Sequence, residues 1–253
     1  MAGRTEAPDA GDVEAIERAT AAAVSPQAVE ELEGWLLAFD GGTVNRAKSA
    51  APLNHALGDP AVVGRIESRY RARGLAPLFR LAAVPGLDGV RNELARRGYL
   101  ERQPTWVRLG KVAAMRAVSA QPPADIATTP DAAWAALFLG DAADPADGAS
   151  RVAALARAPG SLYASVREDG RTVAAGAAAF SQGWVSVHGM RTDPAWRGRG
   201  LAGRILTGLA DAALARGVAR CFLQVEAGNT AAEALYRRAG FAPAWCYGYW
   251  HKA

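Results

Sequence analysis

The sequence predicts a mixed α+β fold: a central mixed β-sheet flanked by helices, laid out twice in tandem. Three observations predict it. Apolar strand-like runs alternate with segments of helical periodicity along the whole chain. Half of the 253 residues are apolar, enough to bury a sizeable core. The two halves also echo one another. ARGLAPLFRLAAVPGLDGVRNELARRGY precedes ARGVARCFLQVEAGNTAAEALYRRAGF by about 143 residues. Each reads helix end, Gly, buried strand, loop, helix, Arg-rich turn and Gly-aromatic. Pro52 and Pro194 even stand at comparable distances before their helices.

In chain order, residues 11–23 have helical character. GWLLAFDGG followed by TVNRAKSA reads as a strand, a Gly-Gly turn and a second strand. From Asp59 to Arg73, the apolar positions Val62, Val63, Ile66 and Tyr70 recur at helical spacing, with Gly74 as the stop. LFRLAAV is a short strand, VRNELARRG a helix ending at Gly98, and TWVRLG another strand. AVSAQPPADIATTPD, rich in Pro, Ala and Thr, is the candidate linker. It separates a first domain, 1–115, from a second, 129–253, with 116–128 between them. In the second domain DAAWAALFL and ASRVAALARA are helical around the flexible loop GDAADPADG. LYASVRE and TVAAGAAAF flank the hairpin turn Asp169-Gly170. WVSVHGMRT is a strand running into Asp193-Pro194. Leu201, Ile205, Leu206, Leu209 and Ala213 mark a long amphipathic helix ending at Gly217. CFLQVEA is a buried strand, TAAEALYRRAG a helix and AWCYGYW a final strand.

Composition narrows the function. The formal charge of +4 is mild, and the arginines are scattered among acidic residues. A nucleic-acid partner wants a concentrated basic stripe, so none is expected. The two cysteines, Cys221 and Cys246, belong to no CxxC or Cys/His cluster. No metal site is expected, and two thiols in apolar runs fit a reducing compartment. Acidic residues occupy the N-terminus where a signal peptide needs its apolar stretch, and no apolar run approaches a membrane span of ~20 residues. A cytoplasmic protein without a membrane partner, monomer or homodimer, is the expectation.

The chemistry-bearing segment is Arg197-Gly198-Arg199-Gly200-Leu201-Ala202, between a strand and the long helix. Small residues let backbone approach a ligand closely. Unpaired N–H groups and the positive end of the helix dipole then face it. With two arginines this is a site for a pyrophosphate. About thirty residues on comes Asn229-Thr230-Ala231-Ala232-Glu233-Ala234-Leu235-Tyr236, followed closely by Gly240-Phe241.

Arg-x-x-Gly-x-Ala followed by Asn-x-x-Ala-x-x-Leu-Tyr and Gly-Phe resembles the GNAT superfamily of acyl-CoA N-acyltransferases, over roughly residues 125–250. The resemblance implies acetyl-CoA as co-substrate. Residues 197–202 would hold its pyrophosphate, the backbone of Met190, Arg191 and Thr192 would pair with the pantetheine arm, and Asn229 would contact the arm further along. The last loop position is often Gly in the family; Ala202 is a common substitute. The first half is similar to the leader domain of a rarer group of tandem GNAT proteins, through GWLLAFDGGTVNRAKSAAPL, GLAPLFRL and RRGY. There the loop's counterpart is Asn54 to Asp59, with Gly58 its only glycine, and Tyr236 is matched by Glu93 or Leu94. A first domain that does not bind CoA, structural or completing an acceptor pocket, is therefore expected.

Acyl transfer to an amine requires a neutral amine, a stabilised oxyanion and a protonated leaving thiolate. The resemblance assigns the last task to Tyr236, with a backbone N–H near Met190 as oxyanion donor. For the base, His188 and Glu226 are rivals, beside a water relay; a strand histidine is commonly just packed, and a carboxylate before a turn commonly bonds backbone. Strand alternation places His188 on the side of Ser186 and Met190. The acceptor is a small-molecule or peptide amine. Trp35, Asn45, Arg46 and Lys48, and the loop at 140–149, are candidates to meet it. Trp245, Tyr247 and Tyr249 share one face, read as domain-interface core in preference to a substrate cage. An acyl-CoA-binding sensor without catalysis is the alternative function.

Overall fold

The structure, a computed structural model, describes residues 8–139 and 145–252. Its elements in chain order begin with α1 (Ala10–Ala22), β1 (Ala28–Leu32), β2 (Trp35–Phe39), a 3-10 turn at Asn45–Ala47 and β3 (Ala50–Pro52). Next come α2 (Val62–Arg71), β4 (Leu78–Ala82), α3 (Asp88–Arg96), β5 (Tyr99–Lys111), α4 (Val112–Arg116) and β6 (Asp125–Ala127). The remainder is α5 (Ala132–Leu139), α6 (Pro145–Arg157), β7 (Leu162–Glu168), β8 (Arg171–Ser181), β9 (Trp184–Thr192), α7 (Leu201–Ala215), β10 (Arg220–Glu226), α8 (Thr230–Arg238) and β11 (Ala242–Lys252).

These strands form one mixed sheet in the order β1-β2-β3-β4-β11-β5-β10-β9-β8-β7-β6. The pairs β3–β4 and β9–β10 are parallel and the others antiparallel. About the central β11–β5 pair the order is symmetric: β4 answers β10, β3 answers β9 and β2 answers β8. Each half sends its last strand into the other. β5 lies against β10, and β11 inserts between β4 and β5. The sheet buries both faces. Ile16, Ile66, Phe79, Leu94 and Phe222 belong to one core cluster; Val185, Ile205, Leu209, Leu223 and Phe241 belong to another, under α7.

Local chemistry accounts for most boundaries. Asp9 caps α1 by accepting from Asp12 N–H. Asp169 and Gly170 both have positive φ (50° and 76°), the backbone of a tight β7–β8 hairpin. The expected strand over TVNRAKSA is shorter than read. Asp40 Oδ1 accepts from Gly42 N–H, Asn45–Ala47 coil into a 3-10 turn, and extended backbone resumes only at Ala50. β1, with the sequence AVEEL, is an edge strand that the reading missed, because its carboxylates carry no strand signal. The Pro/Ala/Thr-rich stretch contains the short strand β6, paired to β7. Of GDAADPADG, residues 140–144 lie outside the described residues. α6 is described from Pro145 onward, so it covers residues ahead of the expected helix ASRVAALARA.

Candidate active site

β9 and β10 pair in parallel only as far as Val187↔Leu223. Beyond that point they separate, while β9 stays paired with β8 to Thr192. Within this stretch His188 faces Ala177 and Arg191 faces Ala175, so that two residues of β9, Gly189 and Met190, stand against one of β8, Gly176. The extra residue makes a β-bulge, in which Gly189 adopts φ +58°. A bulge leaves backbone N–H and C=O groups unpaired. It also corrects the expected alternation: Met190 packs with Ile205 and the α7 cluster, on the face of Val185 and Val187, whereas His188 stays on the opposite face with Ser186. A cavity of about 1070 Å³ runs through the fork.

On the α7 side the cavity is lined by Met190, Thr192, Arg197, Gly198, Gly200, Leu201, Ala202, Asn229 and Tyr236, whereas the Arg191 guanidinium stands 5.3 Å over the Phe138 ring of α5, on the other side. Gly198 and Gly200 have φ of +77° and +80°, and Gly200 is the N-cap of α7 without a side-chain cap. A left-handed glycine here turns the first N–H groups of a 15-residue helix toward the opening. Arg199 is placed elsewhere, its guanidinium 4.4 Å above the Trp196 ring. Asn229 caps α8 by accepting from Ala232 N–H at 3.2 Å. Tyr236 packs edge-on against Phe241 with ring centroids 6.0 Å apart, and burial pushes its phenol up to about 12. The hydroxyl makes no hydrogen bond among the described residues.

On the other side, α1 and the 3-10 turn of the first half approach the fork. His188 is buried, its Nε2 2.7 Å from Ser186 Oγ, which in turn donates to Ala179 C=O. Its Nδ1 faces Arg46 Nη1 at 3.5 Å. Nε2 therefore carries the proton and Nδ1 accepts. Burial first, and the Arg46 charge second, hold His188 well below the usual imidazole range, so it is neutral. Arg46 also donates to Gln224 Oε1 at 2.7 Å, and Gln224 Nε2 donates to Thr20 on α1 at 3.0 Å. Glu226, exposed at the end of β10, lines the same cavity. Its parity with Phe222 and Gln224 sets it on the His188 face.

The remaining candidates separate. Trp35 is buried in the core, and Asn45 donates to Gln103. Of the four first-half residues considered above, Arg46 lines the cavity. Trp245, Tyr247 and Tyr249 belong to a core cluster, with the Tyr247 hydroxyl 3.3 Å from Gln224 Oε1. Sequence reasoning missed Gln224, Arg151 and Arg238, polar residues on helices and strands with no motif around them. It also missed the bulge at Gly189, for which the isolated glycine in a strand run was the available signal. Thr43 bonds Asp147 and Ser150, and Asp40 pairs with Arg157 at 2.7 Å, fastening α6 to the first half over the cavity.

A loop of positive-φ glycines at a helix N-terminus thus lies beside a bulged strand and a splayed parallel pair. The family described as "Probable histone acetyltransferase Rv0428c C-terminal" matches residues 10–250. The chain belongs to this family. The GNAT architecture recurs in solved structures. A GCN5-related N-acetyltransferase from Kribbella flavida superposes with a TM-score of 0.71 at 18% identity, over 98% of this chain and 96% of that one. A tandem GNAT protein from the clavulanic acid biosynthesis pathway gives 0.59 at 15% identity, over 96% of each. A GCN5-related N-acetyltransferase from Sphaerobacter thermophilus gives 0.53 at 19% identity, over 98% and 94%. Among curated proteins, none matches in sequence.

In the strand order, the counterpart of the β9–β10 pair is the β3–β4 pair of the first half. β3 and β4 pair only at Ala50↔Phe79. The segment that answers the glycine loop folds back on the Pro85–Leu87 turn, where Gly58 N–H donates to Gly86 C=O. A Cβ on Gly86 would sit 2.3 Å from Ala56 O, so this contact is backbone on backbone. The His55 ring stands edge-on to Trp245 with centroids 5.1 Å apart, and its Nε2 is 3.5 Å from buried Glu17. Burial raises the Glu17 carboxyl, but Arg80 and His55 outweigh it and hold the group below the ordinary range. No helix among the described residues is long and apolar enough to cross a membrane.

Proposed function

We propose that this protein is an acetyl-CoA-dependent N-acetyltransferase acting on a primary amine of a small molecule or peptide, by direct attack in a ternary complex. The supporting observation is the single cavity that passes through the β9–β10 fork, with the glycine loop and Tyr236 on one face and Glu226 on the other. The backbone at 197–202 fits a pyrophosphate: positive-φ glycines, a helix N-terminus and Arg197 converge there. Bound acetyl-CoA supplies the activated acyl group. Unpaired β9 N–H groups at the Gly189 bulge orient the thioester and receive developing oxyanion charge. Tyr236 keeps its proton at neutral pH and delivers it toward the departing sulfur.

Glu226 is the better base of the two candidates. The accepting nitrogen of His188 already faces a guanidinium, whereas Glu226 opens to the cavity. Arg46, Arg151 and Arg191 line the acceptor side and disfavour an ammonium there, which helps the amine reach its neutral form. Glu226→Gln is expected to lower kcat/KM by about 10²-fold, the low end for a positioned base. An unchanged kcat/KM would return the role to water.

We read residues 1–115 as a degenerate GNAT-like domain and 129–253 as the catalytic one, joined through 116–128. Accordingly, calorimetric titration should find one CoA per chain; two equivalent sites would overturn this division. The decisive test of the activity is free-thiol release from acetyl-CoA across a panel of amines. CoA binding without turnover of any amine would favour the sensor reading.

A further inference from the structure

Arginines in this protein commonly meet carboxylates. Arg80 meets Glu17, Arg97 meets Glu67 and Glu93, Arg204 meets Glu168, and Arg151 meets Asp147. Arg46 does not. It is half-buried at the wall of the cavity, and among the described residues it has no ion-pair partner. Its contacts are the amide oxygen of Gln224 at 2.7 Å and the neutral His188 ring at 3.5 Å, both through Nη1. Gln224 is itself fixed from two further sides, by Thr20 and Tyr247. One edge of the guanidinium is thus clamped by neutral groups. Its other N–H groups make no hydrogen bond among the described residues.

Holding a cation partly out of water without a counterion is unfavourable, and a guanidinium edge matches a carboxylate with two parallel hydrogen bonds. The cavity as a whole is positive. Arg46, Arg151, Arg191, Arg197 and Arg238 line it, against Glu226 as the lining carboxylate. Arg197 and Arg238 stand by the glycine loop and α8, at the phosphate side. Arg46 stands across the fork from them, beside His188, where an amine would enter.

We propose that Arg46 receives a carboxylate of the acceptor, so that the substrates are amino acids or small amines that carry a carboxylate. Polyamines and Lys/Arg-rich peptide segments would instead meet a positive wall. The inference rests on the acetyltransferase reading, because it assigns this face to the acceptor. His188 and Gln224 then act as positioning residues for the guanidinium.

The test uses CoA-saturated full-length protein and a panel of N-acetyl amino acids, paired with their carboxamides, titrated calorimetrically. The carboxylate members should bind at least tenfold tighter than the amides. Arg46→Gln should erase that preference while leaving CoA affinity unchanged, and Arg46→Lys should restore part of it. Equal binding of the two series, no binding of either, or a preference that survives in Arg46→Gln overturns the proposal. A parallel titration compares succinyl-CoA with acetyl-CoA. If Arg46→Gln weakens only succinyl-CoA, the carboxylate belongs to the donor and the proposal also fails. Selective carboxylate binding without thiol release for any amine would sink the transferase reading and leave the Arg46 site standing.

Discussion

Tyr236→Phe is expected to lower kcat by about 10²-fold or more, the range for losing a positioned acid, with little change in stability. The ring is buried and packs against Phe241, and the substitution keeps that packing. The hydroxyl has no partner among the described residues, so no hydrogen bond inside the protein is broken. KM for acetyl-CoA should move far less than kcat, because the lost interaction belongs to the transition state. Burial makes this phenol a weaker acid than a free one, about 12 against 10. That difference corresponds to roughly 3 kcal/mol and draws the expected loss toward the lower end of the range. A folded variant with wild-type kcat would remove Tyr236 from the mechanism.

Gly200→Glu should abolish CoA binding, by 10²-fold or more in Kd, in a protein that still folds. The side chain would project from the N-cap of α7, bringing a carboxylate to the point where the helix N–H groups meet phosphate. Two structural effects oppose the substitution, and both are modest. A non-glycine residue at φ +80° costs about 1–2 kcal/mol. A new Cβ would sit 3.0 Å from Gln121 Nε2, the end of a flexible side chain that can withdraw. Gly200→Ala bears both effects without the charge and should lose less than tenfold. If the two variants bind CoA alike in calorimetry, backbone geometry and not charge governs the loop.

Where a feature rests on local chemistry, the sequence made it legible. The glycine loop, the Asp169-Gly170 turn and the long helix from Leu201 were all readable, and the 143-residue echo anticipated the symmetric strand order. The elements it hid depend on partners distant in sequence. Strand β1 is extended because β2 offers it an edge, and TVNRAKSA coils because Asp40 captures a local N–H. The side of Met190 depended on one additional residue in β9 relative to β8, which no periodicity within β9 reveals. Likewise, nothing around Arg46 marks it as the residue that reaches 142 positions along the chain to His188.

The crossing of β5 and β11 bears on how the protein is made. β4, at residues 78–82, finds its neighbour on one side only in β11, at 242–252. A nascent chain emerging from the ribosome therefore displays an unfinished edge until β11 is synthesised. At about 5–20 residues per second, the roughly 160 residues separating β4 from β11 represent about ten to thirty seconds of exposure. Unpaired edges are templates for association with other chains, so synthesis imposes a waiting period that refolding of the finished polypeptide does not.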